Sequence, residues 1–244
     1  MRGSSFKQSL FLGLAAAGLL AVGIFFTWSW ISTERRKQEI KQLSLGSSNL
    51  KQIYLGMLGF DHGRMNLFKD ITDRAGKPLL SWRVAILPYI GGHELYHQFK
   101  LDEPWDSEHN LKLAKLPVPG YSAPHQKVRV DAQGHYLTHL MLFTGKGSLF
   151  SEGKGMGIHD IPDGMSKTIL CVEAKSPCIW TKPQDIPLDI DKEFPPLDSV
   201  VGIDPKEFTA LLCDGSVHDF KMTLDRETMK SLIVPDDGKP DKLP

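Results

Sequence analysis

The chain has 244 residues, and its 29 lysines and arginines balance its 29 aspartates and glutamates. A formal net charge of zero argues against a nucleic-acid-binding protein, which usually carries a basic stripe, so we expect no nucleic-acid partner. An apolar content of 41% excludes a wholly disordered chain, and three cysteines are too few for a disulfide scaffold.

The first predicted element is a membrane helix over residues 10–31, a run without any charged side chain. About 22 residues at about 1.5 Å each give a helix of about 33 Å, which is long enough to cross the hydrocarbon core. The run is longer than the apolar part of a cleavable signal peptide, and it ends in Trp28 and Trp30, which favour the membrane interface. We therefore predict an uncleaved single-pass anchor in the lipid bilayer, with residues 1–9 as a short cytoplasmic N-terminus.

An amphipathic helix over residues 32–60 is predicted to continue the anchor, because this segment contains no proline and many helix formers. We expect a kink at Gly46 to Ser48. The apolar side chains recur at spacings of three, four and seven residues, which places them on one helix face: Ile40, Leu43, Leu50, Ile53, Tyr54, Met57 and Leu58. Such a stripe needs a partner surface, which a plain juxtamembrane linker would not.

Residues 61–234 are predicted to form a globular head of short elements. Helices are expected over residues 81–90 and 93–101, after Ser107 as N-cap, and over residues 225–234. Strands are expected where apolar runs are bounded by Gly, Pro or Asp turn signals: residues 127–130, 135–143, 168–174 and 209–220. One long helix followed by an antiparallel sheet with short helices is an α+β fold. The polar, proline-rich residues 235–244 are predicted to be a disordered tail.

One string in the head, His93-Glu94-Leu95-Tyr96-His97, matches the H-E-x-x-H pattern of zinc hydrolases. In that pattern, two histidines one helical turn apart bind zinc, and the glutamate acts as general base. Here the string follows Gly91-Gly92 directly, and no third ligand stands at a suitable spacing. We therefore predict no catalytic residue, no metal and no cofactor, and a zinc hydrolase that uses His93, Glu94 and His97 is the least favoured function.

Other candidate sites are weaker than the H-E-x-x-H string. The glycine-rich stretch that begins at Gly145 lacks the Lys-Ser/Thr pair that would cradle a phosphate. Loop carboxylates could supply oxygen ligands to calcium, although their spacing matches no EF-hand: Asp102, Glu103, Asp106, Asp160 and Asp163. Neither pattern predicts a specific ligand.

From Ser81 the chain reads SWRVAILPYIGGHELYHQFKLDEPWDSEHN, which resembles the signature of a bacterial pilin-like family, domain of unknown function 1559. Similar blocks follow in the family's order: NLKQI at Asn49, IPDGMSKTILCVEA at Ile161, IWTKPQDI at Ile179 and CDGSV at Cys213. The resemblance covers residues 34–235. The signature positions are Trp82, Arg83, Pro88, Tyr96, Phe99, Asp102, Glu103, Pro104, Trp105, Asp106, Asn110, Asp163, Gly164, Trp180, Pro183, Asp214 and Gly215.

The resemblance implies a type IV pilin-like or pseudopilin-like fold, whose N-terminal helix lies half in the membrane and half against a sheet. It also implies that the H-E-x-x-H string is incidental. From the residue types we predict that the LDEPWDS loop is structural, with Trp105 buried and Asp106 or Ser107 capping a helix. The chain departs from the family in FKQSLFLGL, which lacks the prepilin cleavage motif, and at Asp204, where the family often has histidine.

The function that this resemblance implies is non-enzymatic: a single-pass protein of a bacterial cell membrane with an extracytoplasmic head. Its N-terminal helix would assemble with copies of itself or with other proteins. The alternative is an anchored domain that binds a polymer or a small ligand. The basic residues 35–41 would place the head in the cytoplasm by the positive-inside rule, but similar basic helices follow the anchor in the resembling family.

An exported head meets an oxidising compartment, where thiols can pair. Cys171 and Cys213 both lie on predicted strands and could form a disulfide, although buried free thiols are favoured. Cys178 follows Pro177 at a strand exit and would be left over.

Overall fold

A computed structural model describes the backbone of residues 3–60, 69–121, 129–151, 160–191, 199–202 and 204–238. It describes their side chains as well, except those of residues 3–26, 39, 40, 42 and 43. The chain divides into two compact units, Met1–Ser44 and Leu45–Pro244.

The first element is one helix, α1 (Gly3–Phe60), of 58 residues. Helical structure continues through Gly46, where the sequence predicts a kink. Among the side chains that are described, no helix is both long and apolar enough to cross a membrane. Most of the predicted anchor, residues 10–31, lies outside those side chains, and so do residues 1–9.

Within the second unit, the last four turns of α1 place one face in the core. Leu50, Ile53 and Met57 are exposed by 1% or less, and Tyr54 and Leu58 pack half-buried beside them. These are the described members of the predicted apolar stripe, and the head is the surface that the stripe requires.

The strands of the head are β1 (Ile71–Thr72), β2 (Pro78–Leu80), β3 (Leu137–Met141), β4 (Phe143–Lys146), β5 (Ile169–Ile179), β6 (Ile186–Asp189), β7 (Glu207–Leu212) and β8 (Val217–Lys221). The main sheet has the order β3-β5-β7-β8 and is antiparallel. β1 and β2 form a separate antiparallel pair. The class is therefore α+β with short helices, as the sequence predicts.

The strand predictions are wrong in three details. The predicted run 135–143 breaks at Leu142, because its N–H donates to Asp185 Oδ1 (2.9 Å) and the chain then pairs with β6. The β4–β6 pair is parallel, since a long connection through β5 separates the two strands. The run 209–220 is a hairpin rather than one strand, because it turns at Gly215, where φ is +83°. For residues 127–130, only the last two lie in the described part, and Val130 forms an isolated bridge with Tyr136.

The remaining helices are short: α2 (Trp82–Ala85), α3 (His93–Tyr96), α4 (Glu108–Leu113) and α5 (Arg226–Ile233). A 3-10 turn over Leu87–Ile90 follows α2, so the predicted helix 81–90 is interrupted, because Pro88 has no N–H to donate to the preceding turn. The predicted helix 93–101 ends early, at Tyr96, because the N–H groups of Gln98 and Phe99 donate to carbonyls three residues back instead of four. The Ser107 cap of α4 is confirmed: its hydroxyl accepts from Asn110 N.

Two hydrophobic clusters lie on opposite faces of the main sheet. Leu140 and Leu142 pack with the end of α1, while Met141 and Phe143 pack with α5. This alternation is the two-residue period of a strand that is buried on both faces. The prediction of a disordered tail is wrong for residues 235–238, because Asp163 N donates to Pro235 O (3.2 Å) and Asp237 N donates to Asp163 Oδ2 (2.9 Å). Residues 239–244 lie outside the described residues.

Candidate functional site

The centre of the head holds a buried ion pair between Arg83, on α2, and Asp185, just before β6. Their side chains are 0% and 4% exposed, and Arg83 Nη2 lies 2.9 Å from Asp185 Oδ1. Asp185 also accepts hydrogen bonds from Leu142 N (2.9 Å) and Trp82 Nε1 (3.2 Å). Burial raises the pKa of Asp185, and Arg83 and these N–H donors oppose that shift.

Arg83 is held as firmly as its partner. Its Nε and Nη2 donate to Leu140 O (3.0 and 2.5 Å), and its Nη1 donates to Ser81 Oγ (2.7 Å). Burial acts to lower the pKa of Arg83. The nearby acidic groups, of which Asp185 has the largest effect, more than offset burial, so the pKa is raised. The guanidinium therefore stays charged.

A second carboxylate, Asp70, lies just before β1 and close to this pair. Its Oδ1 accepts a hydrogen bond from Trp82 N (2.7 Å), the first N–H of α2. Burial, followed by repulsion from Asp185, raises the pKa of Asp70 from 3.8 to about 6, although the Trp82 N–H and Arg83 act in the opposite direction. Asp70 is therefore protonated more readily than an aspartate in water.

A cleft of about 720 Å³ opens beside these two carboxylates, and both of them line it. Its apolar walls come from separate segments of the head: Pro78, Trp82, Leu142, Phe150 and Pro183. Clefts of this size that combine apolar walls with a few convergent polar groups are typical of sites for small ligands.

The H-E-x-x-H string forms the single turn of α3. His93 Nε2 and His97 Nε2 are 3.2 Å apart, and both side chains are exposed. Glu94 is also exposed, and its backbone carbonyl accepts from Gln98 Nε2. Within the described residues, no three His, Cys, Asp or Glu side chains are grouped so that they could hold a metal ion; the candidate calcium ligands belong to the residues searched.

The LDEPWDS loop is organised around Asn110, which is fully buried. Its Nδ2 donates to the carbonyls of Lys100 (2.9 Å), Glu103 (3.1 Å) and Pro104 (3.2 Å), and its Oδ1 accepts from Lys100 N (3.0 Å). Trp105 is only half-buried, contrary to the expectation of a buried ring. The capping role falls to Ser107, because Asp106 is exposed.

The model of a family described as a protein of unknown function, DUF1559, matches residues 46–187, which is more than half of the chain. The chain belongs to this family. No curated protein and no solved structure matches it. The family that the signature block predicts is thus confirmed, and the matched range begins with the part of α1 that packs into the head.

The residues that carry the resemblance in the sequence lie in the core, in turns and on the surface rather than in one site. Trp180 is 1% exposed and meets Phe99 edge-on, with ring centroids 5.7 Å apart. Glu103 pairs with Lys100 on the surface, and Asp102 is exposed. The remaining signature residues have separate places: Pro88 in the 3-10 turn, half-buried Tyr96, Asp163-Gly164 and Asp214-Gly215 in turns, and Pro183 beside the cleft.

The sequence signature contains Trp82 and Arg83 but does not single out Asp70 or Asp185, the two carboxylates of the cleft. A signal for one of them is present, because an arginine inside the apolar run SWRVAIL needs a buried counter-charge. The signal does not identify the carboxylate that pairs with Arg83, since Asp185 is 102 residues away in the chain.

The three cysteines are free and buried. The disulfide that Cys171 and Cys213 could form is therefore absent, because the β5–β7 register places Leu211, not Cys213, opposite Cys171. Burial raises the pKa of both thiols, which keeps them protonated and unreactive.

Proposed function

We propose that the chain is a non-enzymatic, single-pass membrane protein, pilin-like or pseudopilin-like, that holds its head outside the cytoplasm of a bacterial cell. The observation that carries this proposal is the burial of the end of α1 within the head. A pilin-like protein joins its membrane segment and its head through one helix, and α1 has this plan: the apolar run 10–31 precedes the part that packs into the core.

The contacts at the end of α1 are those of a core element rather than of a tether. Ile53 is 0% exposed and shares one cluster with Trp82 and Leu140. Gln52 Nε2 donates to Ile90 O (3.2 Å), so a polar bond fixes the rim of the packed face. A Cβ on Gly56 would collide with the side chain of Ile90, which shows how closely the helix approaches the head.

The first unit supplies the support for a membrane partner. Trp28 and Trp30, at the end of the apolar run, are 68% and 67% exposed, and Ile31 is 50% exposed. Amphipathic indoles at the end of an uncharged run favour the membrane–water interface. The proposed partners are the lipid bilayer through residues 10–31 and, through the same helix, further copies of the chain or other anchored proteins.

The orientation is testable with a membrane-impermeant maleimide, because the native thiols are buried. Ala132 lies exposed in the turn before β3, and Ala132→Cys places one accessible thiol on the head. We expect labelling of Ala132→Cys in intact spheroplasts and none of the wild type. Ser4→Cys, on the other side of the predicted anchor, should be labelled only after lysis. The reverse pattern would place the head in the cytoplasm and contradict the proposal.

The cleft favours a second candidate function, an anchored domain that binds a small ligand or a polymer without assembling. The two functions differ in the behaviour of the purified full chain in detergent. A pilin-like protein should associate as its concentration rises, whereas an independent binding domain should remain monomeric at every concentration.

A further inference from the structure

We propose that the cleft beside Asp70 binds a primary ammonium group, carried by a lysine side chain or by a free alkylamine, with the Asp70 carboxylate as its counter-ion. The inference concerns the head alone and does not rest on the proposed membrane function.

The lining of the cleft combines charged and hydroxyl side chains with apolar ones. Asp70 and Asp185 supply the carboxylates, and the hydroxyl residues Thr72, Thr144 and Ser151 also line the space. Trp82 and Phe150 contribute aromatic rings to the wall. A ligand that suits this lining has a charged or polar head and an apolar stem.

Of the two carboxylates, only Asp70 has capacity for a ligand. The Asp185 oxygens are taken up by Arg83, Leu142 N and Trp82 Nε1, and Arg83 neutralises its charge. Asp70 uses Oδ1 for Trp82 N, and no hydrogen bond from any described residue reaches its Oδ2. Burial, followed by repulsion from Asp185, raises the pKa of Asp70, so a cation beside it would favour its ionised form.

The charge count of the cluster selects the ligand. Ionised Asp70 and Asp185 with Arg83 sum to one negative charge, which matches a single ammonium group. Charge-assisted hydrogen bonds to a carboxylate are about twice as strong as neutral ones, so an ammonium should bind better than an alcohol of the same shape. A calcium ion takes about six to eight oxygen ligands and would lie close to Arg83, and an anion would be repelled by Asp70.

Lys69 competes with this assignment, since its side chain is exposed and lines the same cleft. If the Lys69 ammonium were the true occupant, it would be expected to form an ion pair with Asp70. No such pair is present among the described residues, within which both side chains lie.

The test is calorimetric titration of the full chain in detergent at about pH 8, where Asp70 is ionised and alkylamines are protonated. The probes are Nα-acetyl-lysine N-methylamide, n-pentylamine and the uncharged Nα-acetyl-norleucine N-methylamide. We expect at least one amine to bind about tenfold more tightly than the norleucine derivative, the fold-change of one lost charge-assisted bond. Preference for the lysine derivative indicates a peptide ligand, and preference for pentylamine indicates a free amine.

Variants assign the binding to Asp70. Asp70→Asn keeps an acceptor for Trp82 N, so it should fold, and it should weaken amine binding about tenfold. Glu94→Gln, which removes an exposed carboxylate on α3, should have no effect. Lys69→Gln should bind at least as tightly as the wild type, because it removes a repelling charge, and loss of binding there would place the site elsewhere. The proposal is overturned if the norleucine derivative binds equally well, if neither amine binds at millimolar concentration, or if folded Asp70→Asn binds normally.

Discussion

Arg83 and Asp185 are buried charges, and the partly buried carboxylate of Asp70 lies beside them at the cleft. Taking charges out of water costs several kcal/mol per ion, and mutual attraction recovers this only when the geometry is good and the other hydrogen bonds are made. Arg83 and Asp185 meet that condition, because both are bonded to several backbone or side-chain partners. Asp70 does not, and the imbalance makes the stability of the head depend on pH.

Asp70→Asn is expected to stabilise the head at neutral pH and to have much less effect in acid. The folded protein binds the Asp70 proton more tightly than the unfolded chain, since the pKa is about 6 rather than 3.8. The contribution of Asp70 is therefore fully present below about pH 4 and is lost as the pH rises through 6. The difference in unfolding free energy between the variant and the wild type should rise by roughly 2 kcal/mol from pH 4 to pH 8. Urea unfolding at several pH values measures it, and a flat difference would contradict the assignment.

Asn110→Ala is expected to destabilise the head by about 3 kcal/mol, because the buried side chain loses its four hydrogen bonds to the backbone of residues 100–104. The matched control is Glu108→Gln, two residues earlier, where the side chain is 91% exposed and pairs only with Lys112. Exposed pairs of this kind contribute little to stability. Thermal unfolding of the two variants gives the comparison, and equal melting temperatures would show that the loop is not held by Asn110.

At the scale of the element, α1 carries two different faces within its last four turns. Ile53 is 0% exposed, and Leu55, two residues later, is 64% exposed. Ile53→Ala is therefore expected to cost about 2–5 kcal/mol of unfolding free energy, whereas Leu55→Ala should cost almost nothing. Denaturant unfolding of both variants tests whether this segment is part of the core. Similar losses in the two variants would mean that the helix is not held by this face.

The short helix α3 and its C-cap residue carry the two histidines of the H-E-x-x-H string, which are too few to hold a zinc ion. Two exposed histidines one turn apart supply two ligands, while structural zinc sites use four and catalytic sites three with a water. We expect the dialysed full chain to retain no stoichiometric zinc, and His97→Ala to leave the metal content unchanged. Elemental analysis that finds one zinc per chain in the wild type and none in His97→Ala would refute this.

At the scale of the whole molecule, the features that can be predicted from the sequence are those that depend on residues close together in the chain. Ser107 and Asp225 accept from backbone N–H groups three residues ahead, and such caps are visible in a few letters of sequence. The spacing that predicts the stripe around Ile53 is equally local. The signature blocks from Asn49 to Ile186 lie within the range that the DUF1559 model matches.

What sequence reasoning missed depends on residues far apart in the chain. At Leu142 the chain stops pairing with β5 and begins to pair with β6, and this change depends on Asp185. The C-terminal segment at Pro235 is hydrogen-bonded to Asp163. The ionisation of Asp70 depends on Asp185 as well. Neither the spacing of apolar residues nor a helix-cap pattern predicts such pairings, because each of these aspartates resembles an ordinary loop carboxylate in the sequence.

The burial of α1 in the head also dictates the order in which the chain can fold. Leu50 is made early in synthesis, but it packs in one cluster with Leu211, which is about 160 residues later. Until the strand that contains Leu211 has been synthesised, the apolar stripe of α1 has no complete surface to cover it, and exposed stripes of this kind promote aggregation. A chain whose synthesis stops before β7 is therefore expected to be a substrate for chaperones and proteases, even though its longest helix is already complete.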